Sequence, residues 1–212
     1  MVKTKLLIIG YSSFAKRRIL PSLKKNQKFN YCICSKSNKI DINKKILYNS
    51  YREALKKFKP DIVYISTINS LHYNYAKKIL ENGFHVIIDK PATLDIKTTK
   101  ALLKIAKKKK LFLAEATLFN YHRVFDVIKK LLKEGEQIEH IQSNQSHPLT
   151  KLTKKIQKHE DCEYDMSPYA AAIIRLFKKD NLNNLSVNRN YFRNTRCIST
   201  PCGAAQHAEF SI

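Results

Sequence analysis

Short apolar runs alternate with longer amphipathic stretches over the first two-thirds of the chain, the pattern of a parallel sheet covered by helices. Lys5-Leu6-Leu7-Ile8-Ile9-Gly10 reads as a buried strand ending at a glycine. A helix follows from about Phe14, with Ile19, Leu20 and Leu23 on its buried side and Pro21 expected to kink it. Residues 31–34 and 61–66 read as further strands, the second after the loop signal Lys59-Pro60. A helix through Tyr75, Ala76, Ile79 and Leu80 stops at Asn82-Gly83. Residues 85–89 form the next strand, ended by Lys90-Pro91, and a helix carrying Leu102, Leu103 and Ile105 runs into a lysine tract at 107–110. Residues 111–116 return as a strand, and Val124, Phe125, Val127, Ile128, Leu131 and Leu132 mark an amphipathic helix ended at Gly135. A domain change is expected near residues 117–122, giving one α/β domain over 1–119 and a second over 120–212.

Hydrophobic residues make up 43% of the 212, enough for a buried core. No apolar run approaches the roughly 18 residues of a membrane span, and the N-terminus turns polar after one short apolar stretch, which disfavours a secretory signal. The five cysteines are scattered and odd in number, as expected of reduced thiols in a cytoplasmic protein. The 40 Lys+Arg against 17 Asp+Glu give a net charge of +23, which attracts anions. The lysines fall as pairs and short runs at polar helix positions, the distribution of solvated helix faces. The charge hints at a small anionic partner, with no nucleic acid and no membrane expected; a basic nucleic-acid-binding protein is the competing class.

Candidate chemistry starts at Gly10-Tyr11-Ser12-Ser13-Phe14-Ala15, between the first strand and its helix. A dinucleotide-binding loop belongs there, because a helix N-terminus offers free N–H groups to a pyrophosphate. Of the pattern G-x-G-x-x-G/A, Gly10 and Ala15 are present, while Ser12 replaces the second glycine and offers a hydroxyl to phosphate. After the second strand, Cys34-Ser35-Lys36-Ser37 carries no carboxylate for a ribose diol. Lys36 and the hydroxyls suit a 2′-phosphate, favouring NADP(H) over NAD(H), although the same four residues also read as the start of a polar loop.

Asp61-Ile62-Val63-Tyr64-Ile65-Ser66-Thr67-Ile68-Asn69-Ser70-Leu71-His72, followed by His85-Val86-Ile87-Ile88-Asp89-Lys90-Pro91, resembles the glucose–fructose oxidoreductase/inositol dehydrogenase (Gfo/Idh/MocA) family. Asp89-Lys90-Pro91 matches the family's Glu-Lys-Pro with a shortened acid, and Asn69 and His72 stand in its Thr-Pro-Asn-x-x-His, with Ile68 for the proline. Asp165-Met166-Ser167-Pro168-Tyr169 resembles the family's Asp-x-Gly-x-His/Tyr, with Ser167 for the glycine. Read as a helix start, Ser167 is the expected cap and Pro168 the first helical residue.

The resemblance covers roughly residues 5–178 and implies a Rossmann-type parallel sheet followed by an α/β domain of the dehydrogenase type, here incomplete because family members usually continue beyond the length of this chain. It implies hydride transfer between nicotinamide and a hydroxyl or keto carbon of a sugar, polyol or nucleotide sugar. Lys90, Asp165 and Tyr169 take the catalytic positions. Gly10, Ser12, Ser13, Phe14, Ala15, Ser35, Lys36, Thr67, Asn69, His72, Asp89, Lys90 and Glu115 take the cofactor side. Family members commonly associate through the C-terminal sheet, so a homo-oligomer is a further expectation. A truncated, catalytically silent relative is the alternative within the same fold. Cys32, Cys34, Cys197, Cys202 and His207 show no four-ligand zinc spacing, so no metal is expected.

Overall fold

The structure, a computed structural model, describes residues 2–36 and 46–132, and beyond them the elements at 142–148, 162–177, 186–191 and 205–211. The chain divides into two compact units, Met1–Ala116 and Thr117–Ile212.

The first unit is built on strands β1 (Thr4–Ile9), β2 (Phe29–Cys34), β3 (Leu47–Tyr48), β4 (Ile62–Ile65), β5 (His85–Ile88) and β6 (Leu113–Glu115). All pair in parallel, in the order β3-β2-β1-β4-β5-β6, the doubly wound order of Rossmann folds. The order reverses between β1 and β4, and a crevice opens there at the strands' carboxyl ends. The strands read as unbroken apolar runs because both faces are covered. Leu7, Ile9, Val63, Ile65, Val86 and Ile88 pack on one side with Ala54 and Leu55 of α2 (Tyr51–Phe58), Ala76, Ile79 and Leu80 of α3 (Asn69–Glu81), and Leu102 and Ala106 of α4 (Ile96–Lys109). On the other side Leu6, Ile8, Ile33 and Tyr64 meet Leu20 and Leu23 of α1 (Leu20–Lys25).

Pro21 does not end the first helix. Residues Ala15–Ile19 widen into a π turn, with the Leu20 N–H bonded to the Ala15 carbonyl, and Pro21 enters the first turn of the α1 segment, where its missing N–H is least costly. Asp95 caps α4 by accepting from the Thr98 N–H at 2.7 Å. Glycine is scarce, and lysines supply the left-handed stops of α2 and α4: Lys59 at φ 52° and Lys110 at φ 56°. The pair β3 and α2 has no counterpart in the hydrophobic pattern read above.

The second unit contains a 3-10 turn (Leu118–Tyr121), α5 (Arg123–Leu131), α6 (Cys162–Phe177) and an antiparallel sheet of β7 (Gln142–Pro148), β8 (Ser186–Tyr191) and β9 (Ala205–Ser211), ordered β7-β9-β8. Helix α6 packs against β7 and β9. The expected helix start at Ser167-Pro168 is corrected: α6 begins at Cys162, so both residues lie inside it. The expected stop at Gly135, and the segment 197–203, lie outside the described residues. No helix among the described residues is long and apolar enough to cross a membrane.

Candidate active site at the carboxyl edge of the parallel sheet

Gly10 ends β1 at φ +100°, and a Cβ there would stand 2.2 Å from the Ser66 carbonyl oxygen. The glycine is therefore demanded by the close approach of the chain after β4, which also bonds back through the Ser66 N–H to the Ile9 carbonyl at 2.8 Å. Ser12 then starts the helix: its Oγ accepts from the Ala15 N–H at 3.0 Å and its carbonyl from the Lys16 N–H at 3.0 Å. Ser13, exposed, and half-buried Phe14 form the first turn, which leaves a helix N-terminus at the crevice, while Ala15 is fully buried.

The Ser12 hydroxyl lies 2.6 Å from that of Ser66, which is fully buried, and Ser66 donates to Asp89 Oδ2 at 3.2 Å. Asp89 Oδ1 accepts from the Lys90 N–H at 3.1 Å. An ionised carboxylate only accepts, so Ser66 gives its one proton to Asp89 and Ser12 gives its own to Ser66. In this order the Ser12 proton is turned towards Ser66. Burial pushes the Asp89 carboxyl above the usual range, against the lowering pull of the Lys90 N–H, Ser66, His72 and the Lys90 charge. Tyr64 meets the same point: its buried hydroxyl makes no hydrogen bond of ordinary geometry, and burial together with the Asp89 charge pushes its pKa up.

The turn carrying Lys90 is held from two further sides. His72 is fully buried in α3, with Nδ1 2.7 Å from the Pro91 carbonyl and Nε2 3.2 Å from that of Thr67. His72 therefore ties the chain after β4 to the chain after β5. Glu115 Oε2 accepts from the Ala92 N–H at 2.8 Å, joining the end of β6 to the same turn, whose Lys90–Pro91 bond is cis. Lys90 itself is half-buried, and Asn69 is the first residue of α3.

A cleft of about 890 Å³ runs from Gly10 along the end of β2 and is lined by Ser35, Lys36 and Thr67 among the expected residues. Arg52 and Lys78 line it too, and the sequence reading missed both. Arg52 sits in the first turn of α2, its guanidinium 6.0 Å from the Tyr51 ring centroid. Cys34 also borders the cleft, but burial, then the Glu53 charge, pushes its thiol up to about 11. Ser37 lies outside the described residues. The cleft thus offers a glycine approach, hydroxyls and cations at the switch point of the sheet, a donor set that fits a phosphorylated dinucleotide. Asp165 and Tyr169 occupy positions one helical turn apart on α6, in the second unit. His122 caps α5, accepting from the Val124 N–H at 3.2 Å. Among the described residues no three His, Cys, Asp or Glu converge as a metal site.

Residues 4–117 match a family profile, GFO_IDH_MocA, described as an oxidoreductase family with an NAD-binding Rossmann fold. The dTDP-3,4-didehydro-2,6-dideoxy-alpha-D-glucose 3-reductase of Saccharopolyspora spinosa is 28% identical over 143 residues, covering 61% of this chain and 41% of the relative. The D-xylose 1-dehydrogenase (NADP(+)) of Hypocrea jecorina is 36% identical over 89 residues, covering 42% of this chain and 23% of the relative. A 3-ketoreductase from Actinomadura kijaniata, solved with NADP and TDP-benzene, superposes with a TM-score of 0.72 at 23% identity, over 82% of this chain and 57% of that one, a likeness of fold. The matches therefore take in less than two-thirds of each of these proteins.

Proposed function

The chain belongs to the Gfo/Idh/MocA oxidoreductase family, and we propose that it is an NAD(P)-dependent oxidoreductase that moves a hydride between nicotinamide and a hydroxyl or keto carbon of a sugar, polyol or nucleotide sugar. The observation that carries this reading is the carboxyl edge of the sheet, where the Gly10 loop is hydrogen-bonded through Ser66 to the Lys90 turn and the cationic cleft opens beside Gly10. NADP(H) is favoured over NAD(H): Lys36 and Arg52 line the cleft beyond β2, and Cys34-Ser35-Lys36-Ser37 at the end of that strand carries no carboxylate for a ribose diol. The S. spinosa and H. jecorina proteins, named for a dTDP-sugar and for xylose with NADP(+), support the substrate class and the cofactor.

When bound, the nicotinamide supplies the hydride acceptor or donor. The protein's share is orientation and proton handling. Gly10 and the helix N-terminus at Ser13 and Phe14 receive the pyrophosphate, with Ala15 packed beneath them. Ser35, Lys36 and Arg52 hold the ribose and its phosphate, and Thr67 and Asn69 border the path towards Lys90. Asp89, His72 and Glu115 fix the Lys90 turn. The Lys90 ammonium hydrogen-bonds the reacting oxygen and stabilises negative charge developing on it. On α6, Tyr169 takes the position that the family resemblance gives to proton transfer, and Asp165 the position that orients it or binds a substrate hydroxyl.

The test is turnover by the full chain with NADP+ and NADPH against a panel of aldoses, including xylose, polyols and dTDP-linked keto sugars. Lys90→Ala and Tyr169→Phe are each expected to lower kcat about 10²-fold or more while leaving dinucleotide affinity within a few-fold. Undiminished turnover in Lys90→Ala, or no binding of either dinucleotide at saturating concentration, overturns the proposal.

A further inference from the structure

Ser12 and Asp89 both depart from the family pattern, one a serine for a glycine and the other an aspartate for a glutamate, and they are joined through one buried residue. Ser66 spans them, 2.6 Å from Ser12 Oγ and 3.2 Å from Asp89 Oδ2. Each serine hydroxyl has a single proton, so the direction of the whole chain is set at the carboxylate end. With Asp89 ionised, the order is Ser12 O–H to Ser66 Oγ and Ser66 O–H to Asp89 Oδ2. With Asp89 protonated, the order reverses: Asp89 donates to Ser66, Ser66 donates to Ser12, and the Ser12 proton is released towards the dinucleotide loop. Ser12 Oγ keeps the Ala15 N–H, and Asp89 Oδ1 keeps the Lys90 N–H, in both directions.

We propose that Ser66 is a positioning residue in a reversible relay, through which an anion bound at the Gly10–Ala15 loop draws a proton from solvent onto Asp89, at the base of the Lys90 turn. A phosphate oxygen at the loop is an acceptor that only the reversed order satisfies, and its negative charge opposes a second one on Asp89. The proton comes from buffer, no covalent bond of the protein is broken, and the Lys90 turn loses a neighbouring negative charge as the cofactor arrives. The groups that bear on Asp89 are Tyr64, His72 and Lys90, besides Ser66 and the Lys90 N–H. Its burial already holds its carboxyl above the usual range, which favours such uptake. This inference rests on the dinucleotide reading given above.

The experiment is calorimetric titration of the full chain with NADP+ at pH 6 to 7 in buffers of different ionisation enthalpy, which counts protons exchanged on binding. The wild-type chain is expected to take up more protons than Ser66→Ala or Asp89→Asn, by a fraction approaching one per chain. The ligand's own phosphate contributes equally to all three. Ser12→Ala, which removes only the outer end of the relay, is expected to lose the same uptake and serves if Ser66→Ala fails to fold. Affinity in wild type should also strengthen as pH falls through the Asp89 titration, by up to tenfold per pH unit, with a flatter profile in the variants. Binding with equal proton counts in all chains overturns the relay and leaves the cofactor reading intact. No binding heat in wild type, with no competition by NADPH, overturns both.

Discussion

Gly10→Ala separates a glycine needed for protein packing from one needed for a ligand. The added Cβ would lie 2.2 Å from the Ser66 oxygen and 2.7 Å from the Ser66 carbonyl carbon, where carbon contacts prefer about 3.5–4.0 Å. The backbone of β1 and of the chain after β4 would have to part by more than an ångström at a point held by the 2.8 Å bond from Ser66 N–H to Ile9 O. Forcing an L side chain into positive φ costs about 1–2 kcal/mol. Overpacking adds about 1–3 kcal/mol, and a weakened backbone hydrogen bond about 1 kcal/mol. The sum, about 3–6 kcal/mol, is a large part of the 5–15 kcal/mol typical of a domain. Gly83 is the control: it sits at φ +85° with nothing within 4 Å of a new Cβ, so Gly83→Ala carries only the conformational cost of about 1–2 kcal/mol. Urea unfolding followed by far-ultraviolet circular dichroism measures both. Equal losses for the two substitutions would refute the packing argument.

Lys110→Gly relieves a lysine held at φ 56° at the end of α4 and is expected to stabilise the chain by about 0.5–1 kcal/mol, read as a rise in urea midpoint; a fall would show that the lysine side chain contributes more than its backbone costs. Asp89 has a folded pKa above its ordinary value, so the folded chain binds the extra proton and stability falls as pH rises from the usual aspartate range through the folded pKa. The melting-temperature difference of Asp89→Asn over wild type should therefore increase with pH across that window and level off above it; a constant difference would contradict the shift. Burial pushes the Cys32 thiol up to about 12 and Cys34 up to about 11, so both should react with a thiol reagent at pH 8 far more slowly in the folded chain than in urea. Rapid labelling of the native protein at those two positions, located by peptide mapping, would show that β2 opens.

The central strands were legible because β1, β4 and β5 are covered on both faces and so carry unbroken apolar runs. The β3–α2 unit was not: β3 is two half-buried residues, and α2 buries only Ala54 and Leu55 within eight, too short for periodicity to register. Missing it meant missing Arg52, which enters the cleft from that helix's first turn. The start of α6 was misplaced because Pro168 carries the signature of a first helical residue, while the six residues before it show no apolar repeat. At the site, the glycine loop, Lys36 and the Asp89-Lys90-Pro91 turn follow local rules of strand ends and could be read from the sequence. The contact of Ser12 within the protein could not, because Ser66 lies 54 residues away and the two meet only once β1 and β4 are paired.

The central claim is that the carboxyl edge of the parallel sheet receives a pyridine dinucleotide with its phosphorylated ribose in the cationic cleft. The chain has no tryptophan, so nicotinamide emission can be followed with little interference from the protein. The decisive measurement is a fluorescence titration of the full chain with NADPH and NADH in parallel. Saturable binding of NADPH at one site, tighter than NADH and losing that margin in a Lys36→Ala/Arg52→Ala double variant, is the predicted result. NADH binding as tightly as NADPH in both chains would contradict the assigned cleft, and the absence of saturable binding by either would contradict the account as a whole.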